Sequence, residues 1–271
     1  MAAIEPNAVV SHRIEVAPGL MVLRVVPDDW KQIDFTPGQF AVLGLTGSAP
    51  RCPGSDPDQQ PAAANKMISR AYSIASSSVA REYLEFYITL VRSGALTPRL
   101  FNLKIGDRLW LGPKFSGFFT LESVPPQANI ILVSTGTGLA PYISMVRTEV
   151  THESRRRVAI IHGASHSWDL GYHAELITLQ RASPMFTYIP IIGFPEQELV
   201  PWSGETGIVQ DIWNRRMIDE TWGLRVTPEN THIFLCGNPN MIREMEAIVQ
   251  QEGFAEHKPR SPGQYHVERY W

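Results

Sequence analysis

Cysteine is scarce in this chain: 271 residues hold only two, Cys52 and Cys236. Two thiols so far apart make neither a disulfide framework nor the ligand set of a zinc site or a cysteine-held iron–sulfur cluster, so no metal is expected. Electrons, if this protein moves any, must then be held by an organic group. An excess of basic charge is also missing. Lys and Arg number 24 against 27 Asp and Glu, a net charge of -3, which gives no electrostatic case for nucleic acid. No apolar run approaches the roughly 20 residues a membrane-spanning helix needs. The opening Met1-Ala2-Ala3-Ile4-Glu5-Pro6 has no basic stretch ahead of an apolar one and so does not read as a secretion signal. The expectation is a monomer in the cytoplasm that does not bind a membrane.

The first half of the chain lacks a helical rhythm. From Ile14 to Leu111 short runs rich in Val, Ile, Leu, Phe and Tyr are cut by turn residues, most clearly Leu20 to Val26, Phe40 to Leu45, Tyr72 to Ala75, Leu84 to Val91 and Arg108 to Leu111. Such a series predicts a closed or nearly closed antiparallel β-barrel. Gly47 to Asn65, rich in Pro, Ala, Gly and Asp, reads as a mobile excursion between two strands. From about Asn129 strand-like and helix-like runs alternate. The strands are Ile130 to Val133, Val158 to His162, Phe186 to Ile192 and Thr231 to Cys236. The helices are Pro141 to Thr148, Asp169 to Arg181, Ile208 to Met217 and Pro239 to Glu252. This is the pattern of a parallel sheet covered by helices, with its ligand beyond the carboxyl ends of the strands. Pro125-Pro126 breaks any regular element near the junction. The predicted domains are therefore a β-barrel over 1–124 and an α/β domain over 125–271.

Five stretches carry chemistry. Ser134-Thr135-Gly136-Thr137-Gly138-Leu139-Ala140-Pro141 joins a strand to a helix. Its glycines permit positive φ and close approach of a diphosphate to the unpaired N–H groups of the new helix, although a tight turn with no ligand has the same composition. Arg70-Ala71-Tyr72-Ser73 offers a guanidinium for a diphosphate, a ring for a flat cofactor and a hydroxyl for a heterocycle nitrogen, or is an ordinary strand with an outward Arg and a core Tyr. In Gly94-Ala95-Leu96-Thr97-Pro98, Thr97 suits an N-cap and Pro98 the first helical position. Cys236-Gly237-Asn238-Pro239-Asn240-Met241 stands at the ligand edge of the sheet, where a small thiol could touch a nicotinamide or be buried as structure. The chain ends on Tyr270-Trp271, rings suited to a flat partner or to a terminal strand tucked into the core.

Together these stretches, in this order, resemble the ferredoxin–NADP reductases, and most closely the bacterial group that ends in an aromatic pair. The likeness runs from Phe35-Thr36-Pro37-Gly38-Gln39-Phe40 to Trp271. It implies an FAD-binding barrel followed by a domain for a nicotinamide nucleotide. By position, Arg70 with Ala71 would hold the FAD diphosphate, Tyr72 would stack on the isoalloxazine and Ser73 would approach N5. Tyr87, Ile88 and Thr89 would line the FAD, and Ala95, Leu96 and Thr97 would give N–H groups to its diphosphate. Thr137 would sit near the flavin, with Tyr270 and Trp271 completing its site. Gly136, Gly138 and Cys236, Gly237, Asn238, Pro239, Asn240 and Met241 would receive the nicotinamide nucleotide. Ser73, Cys236 and Trp271 would be catalytic.

The arginines that grip a 2′-phosphate in NADPH-dependent members are lacking here. Gly163-Ala164-Ser165-His166 has Ser165 where Arg is expected, Gly193-Phe194-Pro195 has none, and neither has Gly207-Ile208. Ser165 and His166 could hydrogen-bond a ribose hydroxyl or weakly hold a phosphate, and Arg215 or Arg216 could reach in from the following helix; the resemblance implies NADPH and these substitutions suggest NADH, so both stand. Ferredoxin or flavodoxin, small acidic carriers, would be the electron partner; Lys66, Arg92, Arg99, Lys104, Arg108 and Lys114 either form a rim that steers it or are scattered surface charge. Two other functions share these domains: the reductase component of an oxygenase, and a flavin-binding electron-transfer or sensor subunit.

Overall fold

Gly19, at φ +77°, reverses the chain from β1 (Ala8–Ala17) into β2 (Leu20–Pro27), and the two strands pair antiparallel through Ala17 and Leu20. Pro18 followed by a glycine at positive φ is the residue pair that a type II turn favours. The computed structural model describes residues 5–29, 33–149 and 155–269. It divides into two units, Met1–Thr120 with Ile143–Thr148 and Leu121–Tyr142 with Glu149–Trp271.

In the first unit β3 (Phe40–Thr46), β4 (Met67–Ser73), β5 (Leu84–Thr89) and β6 (Arg108–Leu111) join β1 and β2 in the order β4-β3-β6-β1-β2-β5. An antiparallel bridge between Ile74 and Phe86 ties the two outer strands together, which curls the sheet into the expected barrel. Its interior is apolar, with Met21, Leu23, Leu43, Phe86 and Leu109 fully buried. The strand expected from Tyr72 to Ala75 runs instead from Met67, and β1 begins at Ala8, ahead of the expected onset at Ile14. Both start on apolar residues, Met67-Ile68 and Ala8-Val9-Val10, followed by polar runs that interrupt the alternation.

The excursion after β3 is fastened rather than loose. Asp58 pairs with Arg51 and, at 2.6 Å, with Arg99 of the short helix α1 (Thr97–Asn102), while Arg99 also donates to the carbonyl of Gly47 at 3.0 Å. Backbone bonds from Cys52 to Pro98 and from Asp56 to Arg92 stitch it down further. A second buried charge cluster sets Glu85, 0 % exposed, between Arg24 and Arg147, each at 2.6 Å.

The second unit holds a parallel sheet of β7 (Asn129–Thr135), β8 (Val158–Ala164), β9 (Phe186–Ile192), β10 (Glu205–Thr206), β11 (Thr231–Cys236) and β12 (Tyr265–Glu268), ordered β10-β9-β8-β7-β11-β12. The β-branched runs that predicted these strands are buried on both faces, as central parallel strands must be. On one face Ile131, Val133, Ile161, Ile233 and Leu235 pack against α4 (Val209–Asn214), α5 (Met217–Trp222) and α6 (Pro239–Gln251). Two further helices, α2 (Ala140–Glu149) and α3 (His173–Ala182), follow β7 and β8. Three expectations change. The helix predicted from Asp169 begins at His173, after Tyr172 in the left-handed region at φ 62°. The helix predicted over Ile208 to Met217 is two helices, because Arg216 also turns left-handed, at φ 57°, and clamps Glu252 with two bonds of 2.8 and 2.7 Å. The short strands β10 and β12 were not expected. Each is set by pairing with a distant strand and has little local signal.

Candidate active site

The ends of β7 and β11 meet at two glycine turns. Gly136 takes φ +54° and Gly237 φ +137°, conformations a side chain disfavours. A Cβ on Gly138 would lie 2.6 Å from the carbonyl carbon of Cys236 and 2.7 Å from Cα of Gly237, and a Cβ on Gly237 would lie 2.7 Å from the amide of Thr135. The Thr135 hydroxyl accepts from the amide of Asn238 at 2.8 Å, and the Asn238 side chain in turn caps α6, accepting from Asn240 at 2.8 Å. Pro239 fills the first turn of that helix. Gly136, Thr137, Gly138, Cys236, Gly237, Asn238, Pro239 and Asn240 are thus one packed unit, with Gly138, Cys236 and Gly237 buried, Asn238 and Asn240 exposed and Met241 turned into the core. The arrangement presents a shelf of backbone at the start of two helices, suited to a dinucleotide.

Cys236 is fully buried, and its Sγ lies 3.7 Å from Oε2 of Glu268, its neighbour in register on β12. Ser134 on β7 and His162 on β8 continue that row. Equal register in a parallel sheet puts the four side chains on one face. Sequence reading found Cys236 and missed Glu268, Ser134 and His162, since nothing local shows which strands are neighbours. Burial, with a smaller contribution from His173, holds His162 down to about 3. Its Nδ1 lies 3.1 Å from the Tyr188 hydroxyl, which also meets Nδ1 of His173 at 3.3 Å.

Ser165 and His166 stand beyond β8. Ser165 is exposed, and the His166 ring is held at Nδ1 by Asp169 at 3.2 Å and at Nε2 by Gln197 at 3.0 Å. The Gln197 bond raises the His166 pKa above its ordinary value, desolvation opposes this, and Asp169 and Glu198 add to the rise. Glu198, absent from the sequence-level candidates, accepts from the Ser167 amide at 2.7 Å and from the Ser167 hydroxyl at 2.5 Å. Desolvation pushes its carboxyl up, but the Ser167 donors and the charge of His166 outweigh that and leave it below the usual range. Arg215 pairs with Glu205 at 2.6 Å and Arg216 with Glu252, so both are already engaged.

In the first unit Arg70 and Ala71 are exposed on β4, while Tyr72 and Ser73 are half-buried, Tyr72 against the core. Burial raises the Tyr72 phenol, and the charge of Arg70 pulls it the other way. The Arg70 guanidinium forms no ion pair with a described residue and donates to the carbonyl of Ser69 at 2.7 Å. The Ile74–Phe86 bridge sets Ser73 beside Tyr87 in register, with Ile88 buried and Thr89 exposed further along β5. Thr97 does not cap α1. That position is Leu96, and the Thr97 hydroxyl instead ties back to Val91, donating to its carbonyl at 3.1 Å and accepting from its amide at 3.0 Å.

The carbonyl of Gly94 accepts from Arg51 at 3.0 Å and that of Ala95 from Arg99 at 2.6 Å. A trans peptide aims each N–H opposite to its C=O, so the amides of Ala95 and Leu96 point away from this clamp. Arg99, 4 % exposed, is therefore no part of a surface rim, and Arg108 is paired with Asp28. Lys66, Arg92, Lys104 and Lys114 remain exposed. Tyr270 and Trp271, expected to complete the flavin site, lie outside the described residues.

Residues 132–247 match the oxidoreductase NAD-binding domain family. Over 244 residues the chain is 32 % identical to the ferredoxin–NADP reductase of Pseudomonas aeruginosa, covering 87 % of this chain and 86 % of that one. It is 29 % identical over 238 residues to the flavodoxin/ferredoxin–NADP reductase of Buchnera aphidicola, with 88 % of each covered. A ferredoxin NADP+ reductase from Neisseria gonorrhoeae, crystallised with FAD and NADP, superposes with a TM-score of 0.80 at 23 % identity over 98 % of both chains. Within the described residues no helix is long and apolar enough to cross a membrane, and no cluster of His, Cys, Asp or Glu could hold a metal. On sequence and fold alike, the chain belongs to the ferredoxin–NADP reductase family of oxidoreductases.

Proposed function

We propose that this protein is an FAD-dependent reductase that carries electrons between a nicotinamide nucleotide and a ferredoxin or flavodoxin. The observation that carries the reading is the interlock of Gly138 with Cys236 and Gly237, which builds a backbone shelf for a dinucleotide from two stretches far apart in sequence. Family membership points the same way and favours this reading over an oxygenase component or a passive flavin carrier.

The residues present fit FAD. The exposed Arg70 guanidinium, without an ion-pair partner among the described residues, suits a diphosphate, and the half-buried ring of Tyr72 beside it suits a flat heterocycle. The amides of Ala95 and Leu96, turned away from the Arg51 and Arg99 clamp, suit the same diphosphate. When bound, FAD accepts a hydride at N5 from the nicotinamide and gives up electrons singly, linking a two-electron donor to a one-electron carrier. Ser73 would orient the ring edge by hydrogen bonding, and the buried Cys236, set by Glu268, would back the shelf that receives the nicotinamide. The chain's own contribution is alignment, which converts a bimolecular encounter into a positioned one. Exposed Lys66, Lys104 and Lys114 would draw an acidic carrier.

The test is direct. The purified yellow protein should bleach within the dead time or the first turnovers after a nicotinamide nucleotide is added without oxygen, and then reduce added ferredoxin or flavodoxin. A flavin that stays oxidised would sink the reading.

A further inference from the structure

Three neighbouring strands end together at the edge where the adenosine half of a dinucleotide must lie if its nicotinamide sits by Cys236. Backbone bonds lock these ends to one another: Gly193 donates to Ala164 at 2.9 Å, Phe194 to Ser165 at 3.0 Å and Gly207 to Ile192 at 2.9 Å. The residues they display are Ser165, Phe194 and Ile208, all exposed and none basic. Of the basic side chains on the following segments, Arg215 is committed to Glu205, Arg216 to Glu252 and the His166 ring to Asp169 and Gln197. Arg243, on α6, is bonded to Asn240.

At this edge the donors that a phosphate would need already serve a carboxylate. The amide and hydroxyl of Ser167 both point at Glu198, and Glu196 is exposed beside it. A 2′-phosphate carries close to two negative charges and would have to displace or face that carboxylate without an arginine to offset the repulsion. A ribose 2′-hydroxyl has the opposite need, since it donates a hydrogen bond and a fixed carboxylate accepts one. The loops after β8 and β9 also carry a flat aromatic surface, with His166 stacked on Trp168 at 4.4 Å and Phe194 5.8 Å from the His166 ring, fit for a purine.

We propose that the coenzyme of this reductase is NADH, and that Glu198, oriented by Ser167, is the residue that selects a ribose hydroxyl over a 2′-phosphate. The inference rests on the reductase reading above. It departs from what the names of its relatives, which are NADP reductases, would lead one to expect.

Two measurements on the FAD-loaded protein test it. Calorimetric titration with ADP-ribose and with 2′-phospho-ADP-ribose reads the edge alone, with no redox step. Rapid-mixing reduction of the flavin by NADH and by NADPH reads the whole coenzyme. Expected are binding of ADP-ribose roughly tenfold or more tighter than its phosphorylated form, and a matching preference in the reduction rate at low coenzyme. Glu198→Gln should narrow the binding ratio at least threefold, on the order of the effect of removing one like charge. Ser165→Arg, on an exposed position, should strengthen binding of the phosphorylated form by a similar factor. Equal binding, or a preference for the phosphorylated form, overturns the inference, and bleaching by NADPH in that case leaves the reductase reading intact. Bleaching by neither coenzyme overturns the reading and the inference with it. An unchanged ratio in Glu198→Gln overturns the role given to Glu198.

Discussion

Gly138 lies so close to the end of β11 that a Cβ on it would stand 2.6 Å from the carbonyl carbon of Cys236. Nearly a hundred residues of sequence separate the two, yet backbone touches backbone. This closeness lets one turn shape both the diphosphate shelf and the surface beside the thiol.

Gly138→Ala should therefore force the two turns apart. An intruding methyl in a packed region costs about 1–3 kcal/mol. The expected outcome is a lower urea midpoint together with a several-fold rise in the KM for the nicotinamide nucleotide. A midpoint and KM both equal to those of the parent would mean that the turns yield freely.

Arg70→Ala should release flavin. Losing a charge-assisted hydrogen bond costs roughly 1.5–3 kcal/mol, which is about a 10- to 100-fold weaker FAD complex. Flavin content per protein after gel filtration measures it. Because Arg70 is exposed and its one described hydrogen bond is to the carbonyl of Ser69, the apoprotein should unfold at an unchanged denaturant concentration.

Asp58→Asn should unclasp the excursion between β3 and β4. Arg99 is nearly buried and would lose its carboxylate, a loss of the kind that costs about 3 kcal/mol in buried pairs. Faster proteolysis between residues 47 and 65 and poorer FAD retention should appear together, because the same arginines hold the carbonyls of Gly94 and Ala95. The hydrogen bond from Arg99 keeps the Asp58 carboxyl below its ordinary 3.8 against the cost of burial. Its stabilisation is thus complete above that pH and is lost in stronger acid, as the pH falls through the folded value.

Acid should weaken the second unit well before that. Burial, followed by the charges of His257 and His232, drives His266 from 6.5 to about 3 in the folded protein, and burial does the same to His162. Above pH 6.5 neither residue contributes a slope. Between 6.5 and about 3 the unfolded chain takes up protons that the folded one refuses, so stability falls by up to about 1.4 kcal/mol per pH unit for each histidine. Urea titrations across this range should show that slope, and His266→Phe, which keeps a ring to stack on Phe234, should remove a large part of one histidine's share. A slope unaffected by the substitution would mean that His266 is not kept neutral.

Much was legible in the chain alone because it rests on local rules. Period-two runs located most strands of the barrel, and the switch to alternating strand and helix runs located the parallel sheet, since burial on one face or both leaves a repeat in the composition itself. The glycines at 136 and 138 and the Asn-Pro start of α6 were visible for the same reason: turn and cap chemistry acts over a few residues. The missing arginines at positions 165, 194 and 208 could also be read directly, because absence of charge needs no coordinates.

Only the folded chain decided what depends on neighbours far apart in sequence. The pairing of β11 with both β7 and β12 put Glu268 beside Cys236, the locked ends of β8, β9 and β10 brought Ser165, Phe194 and Ile208 onto one edge, and Ser167 captured Glu198 from the neighbouring loop. Arg99 read as surface charge until Asp58 from the excursion buried it, and one expected helix became two when Glu252 captured Arg216. Composition records what each residue prefers, whereas strand register and ion pairing are chosen jointly by segments whose sequences carry no mark of one another.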